Sequence, residues 1–147
     1  MRPIRSVVVA TLAIIDTHSH HTAGLLQSRD ARAAVSQGIT TIVGGQDGGQ
    51  PFPLAAAMDS LTATPAALNV AYYAGHNTIR AAVLGADFKR TATPAEVDSM
   101  ALLLRRELAS GALGLSSGLE YDPGIYSNRA EVLALAKVTA DVYPYTY

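Results

Sequence analysis

The chain has 147 residues, of which 49% are hydrophobic and 16% are charged, and its formal net charge is −1. This composition is typical of a soluble globular domain, and the lack of a basic excess argues against a nucleic-acid-binding protein. The chain has no cysteine, which excludes disulfides, thiolate metal ligands and a cysteine nucleophile. A cysteine-free chain is also compatible with a reducing compartment, and we expect a cytoplasmic protein.

Short β-branched segments alternate with helical patterns in the first half of the chain. Residues 6–16, SVVVATLAIID, form a continuous apolar run that is typical of a strand buried on both faces. A short signal peptide is the less favoured interpretation of the same run. The segments that follow are predicted as a helix over 28–38, a strand over 39–45, a loop over 46–53, a helix over 53–61 and a strand over 68–76.

The clearest helix of the chain is predicted over residues 93–111. Thr93 is a favourable N-cap, Pro94 occupies the first helical position, Glu96 completes a capping box, and Gly111 ends the helix. The remaining segments are predicted as a fourth strand over 112–119, a helix over 128–137 with Ser127 as its cap, and an edge strand over 138–147.

Strands that alternate with helices predict an α/β fold built from parallel β/α units. A complete (β/α)₈ barrel needs about 200 residues or more, which exceeds this chain. We therefore expect a single domain, a partial TIM-like (β/α) barrel or small open sheet with about four to five parallel strands. A partial barrel exposes two sheet edges, so we also expect self-association through these edges.

Side chains that can bind a metal follow each of the four predicted strands. They are Asp16, His18 and His20 after strand one, Gln46 and Asp47 after strand two, His76 after strand three, and Glu120 after strand four. Ligands of parallel sheets gather at the carboxyl ends of the strands, so these side chains are expected to face one site.

The histidine pair is the core of this expected site. His18 and His20 lie two positions apart, which places both side chains on the same side of an extended segment, and His21 on the opposite side. Two imidazoles can bind Zn²⁺ at about 2.0–2.1 Å, and Glu120 or Asp47 could supply the third protein ligand of a catalytic zinc. Such a metal would activate water for hydrolysis. A hydrogen-bonded loop turn without metal is about equally favoured by the sequence alone.

Five segments occur in an order that identifies a family. They are IIDTHSHH (14–21), AVSQGITTIVGGQDGG (34–49), NVAYYAGHNTIRAAVLG (69–85), GALGLSSGLEYDPGIYS (111–127) and ADVYPYTY (140–147). Together they resemble the amidohydrolase superfamily, specifically its N-acyl-D-amino-acid deacylase (D-aminoacylase) branch. The resemblance implies a zinc-dependent hydrolase on a TIM-like barrel that cleaves the amide C–N bond of N-acyl-D-amino acids or related small molecules.

The resemblance also implies roles for individual residues. His18 and His20 match the strand-one metal ligands of the family. Many members carry a metal-ligating cysteine where this chain has Asp47, and the superfamily commonly places a metal-bridging ligand on strand four, which favours Glu120 over Asp47 as the third ligand. His76 matches the family's GH segment and is expected to bind or position substrate, although a structural, hydrogen-bonded histidine is about as well favoured.

Two further polar residues have structural and functional interpretations. Arg80 could bind a substrate carboxylate through a bidentate contact, but an arginine at the surface or one that anchors a loop is favoured. Asp16 could orient a histidine ligand, or it could cap a turn.

The family's metal site also uses one histidine from each of two later strands, and its acid–base group is an aspartate on the last strand. No residue of this chain matches these groups, because no histidine follows Asn77. The segment 140–147, which resembles a later stretch of the family, follows almost directly on the predicted helix after strand four, so we expect an internal shortening near Lys137 and Val138. Three hypotheses result: an amidohydrolase-family enzyme, a non-catalytic truncated remnant with weak or no metal binding, and a small metal-binding or ligand-binding α/β module. The second is favoured as a statement about the activity of these 147 residues.

Overall fold

The computed structural model describes residues 13–143. Strands β1 (Ile14–Asp16), β2 (Ile39–Gly44) and β3 (Asn69–Tyr72) form a parallel sheet in the order β1-β2-β3. Two further strands, β4 (Ala74–Gly75) and β5 (Leu115–Ser116), pair in parallel with each other. The predicted parallel α/β arrangement is thus confirmed for the part of the chain that is described.

Only Tyr73 separates β3 from β4, so the two strands are halves of one extended segment. The Tyr73 backbone N–H donates to the Gly44 carbonyl at 2.9 Å, on the side of β2. The next N–H, that of Ala74, donates to the Gly114 carbonyl at 2.8 Å, on the side of β5. This segment therefore links the carboxyl end of β2 to β5.

Helices connect and cover the strands. They are α1 (Arg32–Val35), α2 (Leu54–Ala63), α3 (His76–Leu84), α4 (Pro94–Ala109) and α5 (Arg129–Val142), with single 3₁₀ turns at Gln46–Gly48 and Gly124–Tyr126. None of the helices within residues 13–143 has the length and apolar character needed to span a membrane.

The main apolar core lies between the sheets and helices α3, α4 and α5. Its fully buried members include Ile79, Met100, Leu104 and Leu135, each at 0% exposure. A smaller cluster, which includes Leu25, Ala34, Ile42 and Leu68, packs beside β2. The main core thus forms on the side of the sheets that the helices cover.

The predicted capping box of α4 is confirmed. The Glu96 N–H donates to Thr93 Oγ1 at 3.3 Å, and the Thr93 N–H donates to Glu96 Oε2 at 2.7 Å. Arg90 donates to both Glu96 oxygens, and these bonds hold the pKa of the Glu96 carboxyl well below its usual range. Gly111 adopts φ 98° directly after the C-cap Ser110, as expected for a helix stop.

Several predicted boundaries differ from the structure. The helix expected over 28–38 is reduced to the four residues of α1, and β5 covers only two residues of the strand expected over 112–119. Helix α3 was not predicted at all, because the sequence 76–84 follows a strand without an N-cap side chain. The structure places no side-chain hydrogen bond at its N-cap, Gly75, so tertiary contacts determine where it begins.

Helix α5 corrects two predictions. Its cap is Asn128 rather than Ser127, since Asn128 Oδ1 accepts from the Glu131 N–H at 2.8 Å. The helix also continues to Val142, so residues 138–142 are not part of an edge strand; Val138 is buried in the core and extends the helical apolar face. Residues 137 and 138 lie within this unbroken helix, and the proposed shortening there stays a prediction.

Two predictions reach beyond the described residues. Positions 6–12 of the first predicted strand and 144–147 of the last lie outside the described range. The expected self-association also stays a prediction, although Ile14 and Ile15 of β1 are 37% and 61% exposed.

The capping box gives a stability prediction. Thr93→Ala removes the side-chain acceptor of the Glu96 N–H, and we expect the free energy of unfolding to fall by about 1 kcal/mol. Chemical denaturation at neutral pH measures this change. Thr91→Ala is the matched control because that exposed residue contributes only its carbonyl, to Arg90. Equal stability of the two variants would contradict a capping role for Thr93.

Candidate metal centre

The structure brings two histidines and one aspartate together at the carboxyl ends of β1 and β2. His20 Nε2 lies 3.2 Å from Asp47 Oδ2, and His18 Nε2 lies 3.9 Å from the same oxygen. One ligand atom from each of the three residues falls within 4.8 Å of the others. Among residues 13–143, this is the one group of three or more potential His, Cys, Asp or Glu ligands at such distances.

The geometry of the group suits a tetrahedral metal ion. Ligand atoms bound at about 2.0–2.1 Å in tetrahedral arrangement are separated by about 3.3 Å; the His20–Asp47 separation of 3.2 Å is close to that value, and the His18–Asp47 separation of 3.9 Å is wider. Two imidazole nitrogens and one carboxylate oxygen form a donor set that Zn²⁺ accepts. The side chains of His18, His20 and Asp47 are 63%, 68% and 40% exposed, so a fourth position is open to water or substrate. The residues present therefore fit a zinc ion.

Asp47 is held in an uncommon backbone conformation. It lies in the 3₁₀ turn after β2 with φ 55° and ψ 28°, in the left-handed region that aspartate and asparagine tolerate better than most residues. The N–H of the next residue, Gly48, donates to Ser116 Oγ at 3.2 Å, and Ser116 Oγ in turn donates to the Gly45 carbonyl. The end of β5 thus fixes the turn that carries the carboxylate.

Close backbone packing reinforces this turn. A Cβ atom on Gly118 would overlap the Asp47 carbonyl oxygen, and a Cβ on Gly48 would overlap the Asn77 side chain. Asn77 also bridges to Gly118 in both directions: Nδ2 donates to the Gly118 carbonyl at 2.9 Å, and Oδ1 accepts from its N–H at 3.2 Å. Only glycine at positions 48 and 118 lets the three segments meet this closely.

Hydrogen bonds fix the histidine segment against β2 and against the turn that follows β2. The Ser19 N–H donates to the Val43 carbonyl at 3.0 Å, and Gln46 Nε2 donates to the Thr17 carbonyl at 2.8 Å. Ser19 is 3% exposed, so its side chain points inward while those of its two histidine neighbours point out together. This is the side-chain alternation expected from the H-x-H spacing.

Asp16 and His21, which flank the histidine pair in the sequence, are not part of the ligand group. Asp16 Oδ1 accepts from the His18 N–H at 3.2 Å, as in a capped turn, and no contact of Asp16 with a histidine ring is seen in the described part of the chain. His21 is exposed and lies outside the ligand group, as the sequence predicts.

Two cavities flank the ligand group. One of about 440 Å³ is lined by His20, Gln46 and Tyr72, and another of about 300 Å³ is lined by His18, Asp47 and Ser117, among others. Burial raises the pKa of the Tyr72 phenol above its ordinary value. The phenol is therefore neutral at physiological pH.

Glu120 does not join the ligand group. Strand β5 ends at Ser116, and Glu120 lies four residues further on, exposed in a turn. The arrangement therefore favours Asp47 as the carboxylate ligand, the reverse of the preference from the sequence. The predicted strand over 112–119 would have ended next to Glu120, whereas β5 ends at Ser116, four residues before it. Glu120 as a metal ligand stays a prediction.

His76 is buried rather than lining a cavity. It is 1% exposed at the first position of α3, with Nδ1 at 2.8 Å from Ser117 Oγ and Nε2 at 2.9 Å from Glu131 Oε1. Both ring nitrogens are thus occupied within the protein, which favours the structural alternative over direct substrate binding.

Arg80 is fully buried and makes a loop-anchoring network. Its Nη1 pairs with the Glu131 carboxylate, and Nε donates to the Pro123 carbonyl at 3.0 Å. It also donates to the carbonyls of Phe88 and Arg90. This agrees with the favoured loop-anchoring role, although the residue is buried and not at the surface.

Glu131 is the important residue that the sequence reasoning missed. It is 1% exposed in α5 and bonds to both Arg80 and His76. An acidic residue in the first turn of a helix is usually explained by the helix dipole, so the sequence alone gives no reason to assign it another role. Its burial depends on contacts from residues about fifty positions earlier, which no local pattern indicates.

Comparison with known proteins finds relatives that are named as D-aminoacylases and N-acyl-D-amino-acid deacylases. The chain is 36% identical over 155 aligned positions to a D-aminoacylase of Alcaligenes xylosoxydans xylosoxydans. It superposes with a TM-score of 0.83 and 32% identity on the crystal structure of an N-acyl-D-glutamate deacylase from Bordetella bronchiseptica, which is complexed with zinc and a phosphonate inhibitor. A D-aminoacylase structure described as defining a novel subset of amidohydrolases gives a TM-score of 0.78 at 33% identity. No protein-family model matches the chain.

These alignments cover most of this chain but a smaller share of each relative. The D-aminoacylase alignment covers 90% of the chain and 32% of the relative, and the two structural superpositions cover 87% and 88% of the chain and 31% and 32% of the relatives. The chain therefore spans about a third of the length of the proteins it matches.

The alternative third ligands can be separated by zinc titration. We expect Asp47→Asn to weaken zinc binding at least tenfold, because it removes the charged oxygen donor while asparagine tolerates the same backbone conformation. Glu120→Gln is the matched control and is expected to bind zinc as the unmodified chain does. The affinities are measured by competition with a chromogenic chelator. Weaker binding by Glu120→Gln with no effect of Asp47→Asn would restore Glu120 as the ligand.

Proposed function

Because this chain is homologous to one segment of the N-acyl-D-amino-acid deacylases, which are metal-dependent amidohydrolases, we propose that it carries their kind of metal-dependent hydrolytic site. The observation that carries the proposal is the convergence of His18, His20 and Asp47 within 4.8 Å at the ends of neighbouring parallel strands. The proposed metal is Zn²⁺, and the proposed substrates are N-acyl-D-amino acids or related small amides.

The proposed ligand set assigns one task to each residue. His18 and His20 offer neutral nitrogen donors from the segment after β1, and Asp47 adds the negative charge that partly balances a divalent cation. A zinc ion bound there would lower the pKa of water toward about 7 and polarise a carbonyl oxygen, which are the requirements of amide hydrolysis. The exposure of the three side chains leaves room for both water and substrate.

The two flanking cavities suit a small substrate. Volumes of about 300 and 440 Å³ are at the lower end of the range for small-molecule sites. Gln46 lines both cavities and anchors the histidine segment through Thr17. We infer that Gln46 positions the ligand group and does not itself take part in the chemistry.

We also propose that the strands form part of a TIM-like barrel. Parallel strands with a ligand group at their carboxyl ends are consistent with the first strands of a TIM-like (β/α) barrel, in which active sites occupy that face. On this interpretation β1, β2, the segment β3–β4, and β5 are four consecutive barrel strands. A cytoplasmic location and self-association through the sheet edges complete the proposal.

The function is tested by hydrolysis. The purified chain with added Zn²⁺ is expected to release acetate from N-acetyl-D-amino acids and not from the L-enantiomers. His20→Asn removes one nitrogen donor and is expected to reduce the rate to background. A matched control is His21→Asn, which changes an exposed neighbouring histidine outside the ligand group.

The outcomes distinguish the enzyme from the non-catalytic hypotheses. D-specific hydrolysis that requires His20 supports the enzyme. Zinc binding without any hydrolysis overturns the enzymatic proposal and favours the non-catalytic hypotheses. If the chain binds no zinc, the proposed metal centre is also wrong.

A further inference from the structure

A chain of buried hydrogen bonds ends at the cavity beside the candidate metal centre. It runs from Glu131 in α5 through His76 in α3 to Ser117 in the turn after β5, with separations of 2.9 and 2.8 Å. Glu131 and His76 are each 1% exposed, whereas Ser117 is exposed and lines the cavity of about 300 Å³ with His18 and Asp47. Zinc binding at the candidate centre does not explain this chain of bonds.

The charge state of Glu131 determines the direction of these bonds. Arg80, which is protonated at any physiological pH, pairs with the Glu131 carboxylate through Nη1 at 2.5 and 2.7 Å. Glu131 is therefore ionised and can only accept hydrogen bonds. His76 Nε2 must then carry a proton that it donates to Glu131 Oε1; Ser127 Oγ, at 3.4 Å from Nε2, is a more distant neighbour of the same nitrogen.

The remaining nitrogen of His76 is then an acceptor. The charges of Arg80 and Glu131 already cancel, so protonation of both His76 nitrogens would add an uncompensated positive charge. His76 is only 1% exposed, and burying such a charge is costly. The neutral ring has its proton on Nε2, so Nδ1 accepts from the Ser117 hydroxyl. The single hydroxyl proton of Ser117 is therefore used inside the protein.

We propose that Ser117 is a specificity-determining acceptor that receives a hydrogen bond from the amide N–H of an N-acylated substrate. With its proton donated to His76, the hydroxyl presents only lone pairs to the cavity that it shares with His18 and Asp47. A hydroxyl oxygen that can only accept favours a ligand with an N–H donor, and it cannot form a hydrogen bond with an ester oxygen at the same position. His76 and Glu131 act as positioning residues, and the inference rests on the proposed function for its substrate class.

The direction of the hydrogen bonds is tested by nitrogen-15 NMR of the histidine ring. The triple variant His18→Asn, His20→Asn and His21→Asn leaves His76 as the only histidine, because the chain has four. The proposal predicts the tautomer with the proton on Nε2. A proton on Nδ1 makes Ser117 a hydrogen-bond acceptor from His76 and would overturn the proposal, whatever the metal centre does.

The specificity is tested with two ligands that differ in one group. N-acetyl-D-alanine has an amide N–H where O-acetyl-D-lactate has an ester oxygen. Chemical-shift titration of the full chain is expected to show tighter binding of the amide. Ser117→Ala should weaken the amide about threefold to tenfold, the range of one neutral hydrogen bond, and leave the ester unchanged. Ser117→Thr keeps the hydroxyl and should retain the preference for the amide. Ser99→Ala, at an exposed position of α4, is the control for a serine-to-alanine substitution.

The binding measurements test the role of Ser117 separately from the proposed metal centre. Equal affinity for amide and ester, an equal loss of both in Ser117→Ala, or no binding of either ligand overturns the role of Ser117. Zinc titration of the same samples reports the metal centre independently. Discrimination that survives in a chain unable to bind zinc would support Ser117 while refuting the proposed metal site.

Discussion

The buried ion pair between Arg80 and Glu131 is the interaction on which the arrangement around the site depends. Both side chains are almost inaccessible to water, and the guanidinium also donates to backbone carbonyls of Phe88, Arg90 and Pro123. Removing one partner of such a buried pair would leave an uncompensated charge and typically costs about 3–5 kcal/mol. The pair therefore ties α3 to α5 and to the loops that follow α3 and β5.

This pair also determines where the polar groups of the site lie. Helix α3 begins with His76 and Asn77, so its attachment to α5 places these two side chains against the turn after β5. Asn77 holds Gly118, and Gly118 packs directly on the carbonyl of Asp47. The position of the proposed carboxylate ligand thus depends on a core interaction that does not touch the ligands themselves.

The sequence predicts features that are set by local chemistry. The capping box at Thr93 and Glu96 needs only neighbouring residues, and the shared direction of His18 and His20 follows from their spacing of two. The preference for Glu120 over Asp47 lacked such a basis, because it depended on where a short strand ends, and β5 ends at Ser116. The burial of Glu131 could not be predicted either, since its partners come from distant segments whose packing no local pattern specifies.

We propose that His18, His20 and Asp47 form one zinc site with nitrogen and oxygen ligands. X-ray absorption spectroscopy at the zinc edge, on the full chain loaded with one equivalent of metal, measures this most directly. We predict two imidazole nitrogens and at least one oxygen at about 2.0–2.2 Å, in four-coordinate geometry. A spectrum of six oxygen ligands without imidazole scattering would show that the ion does not bind at the histidine pair, and would contradict the claim.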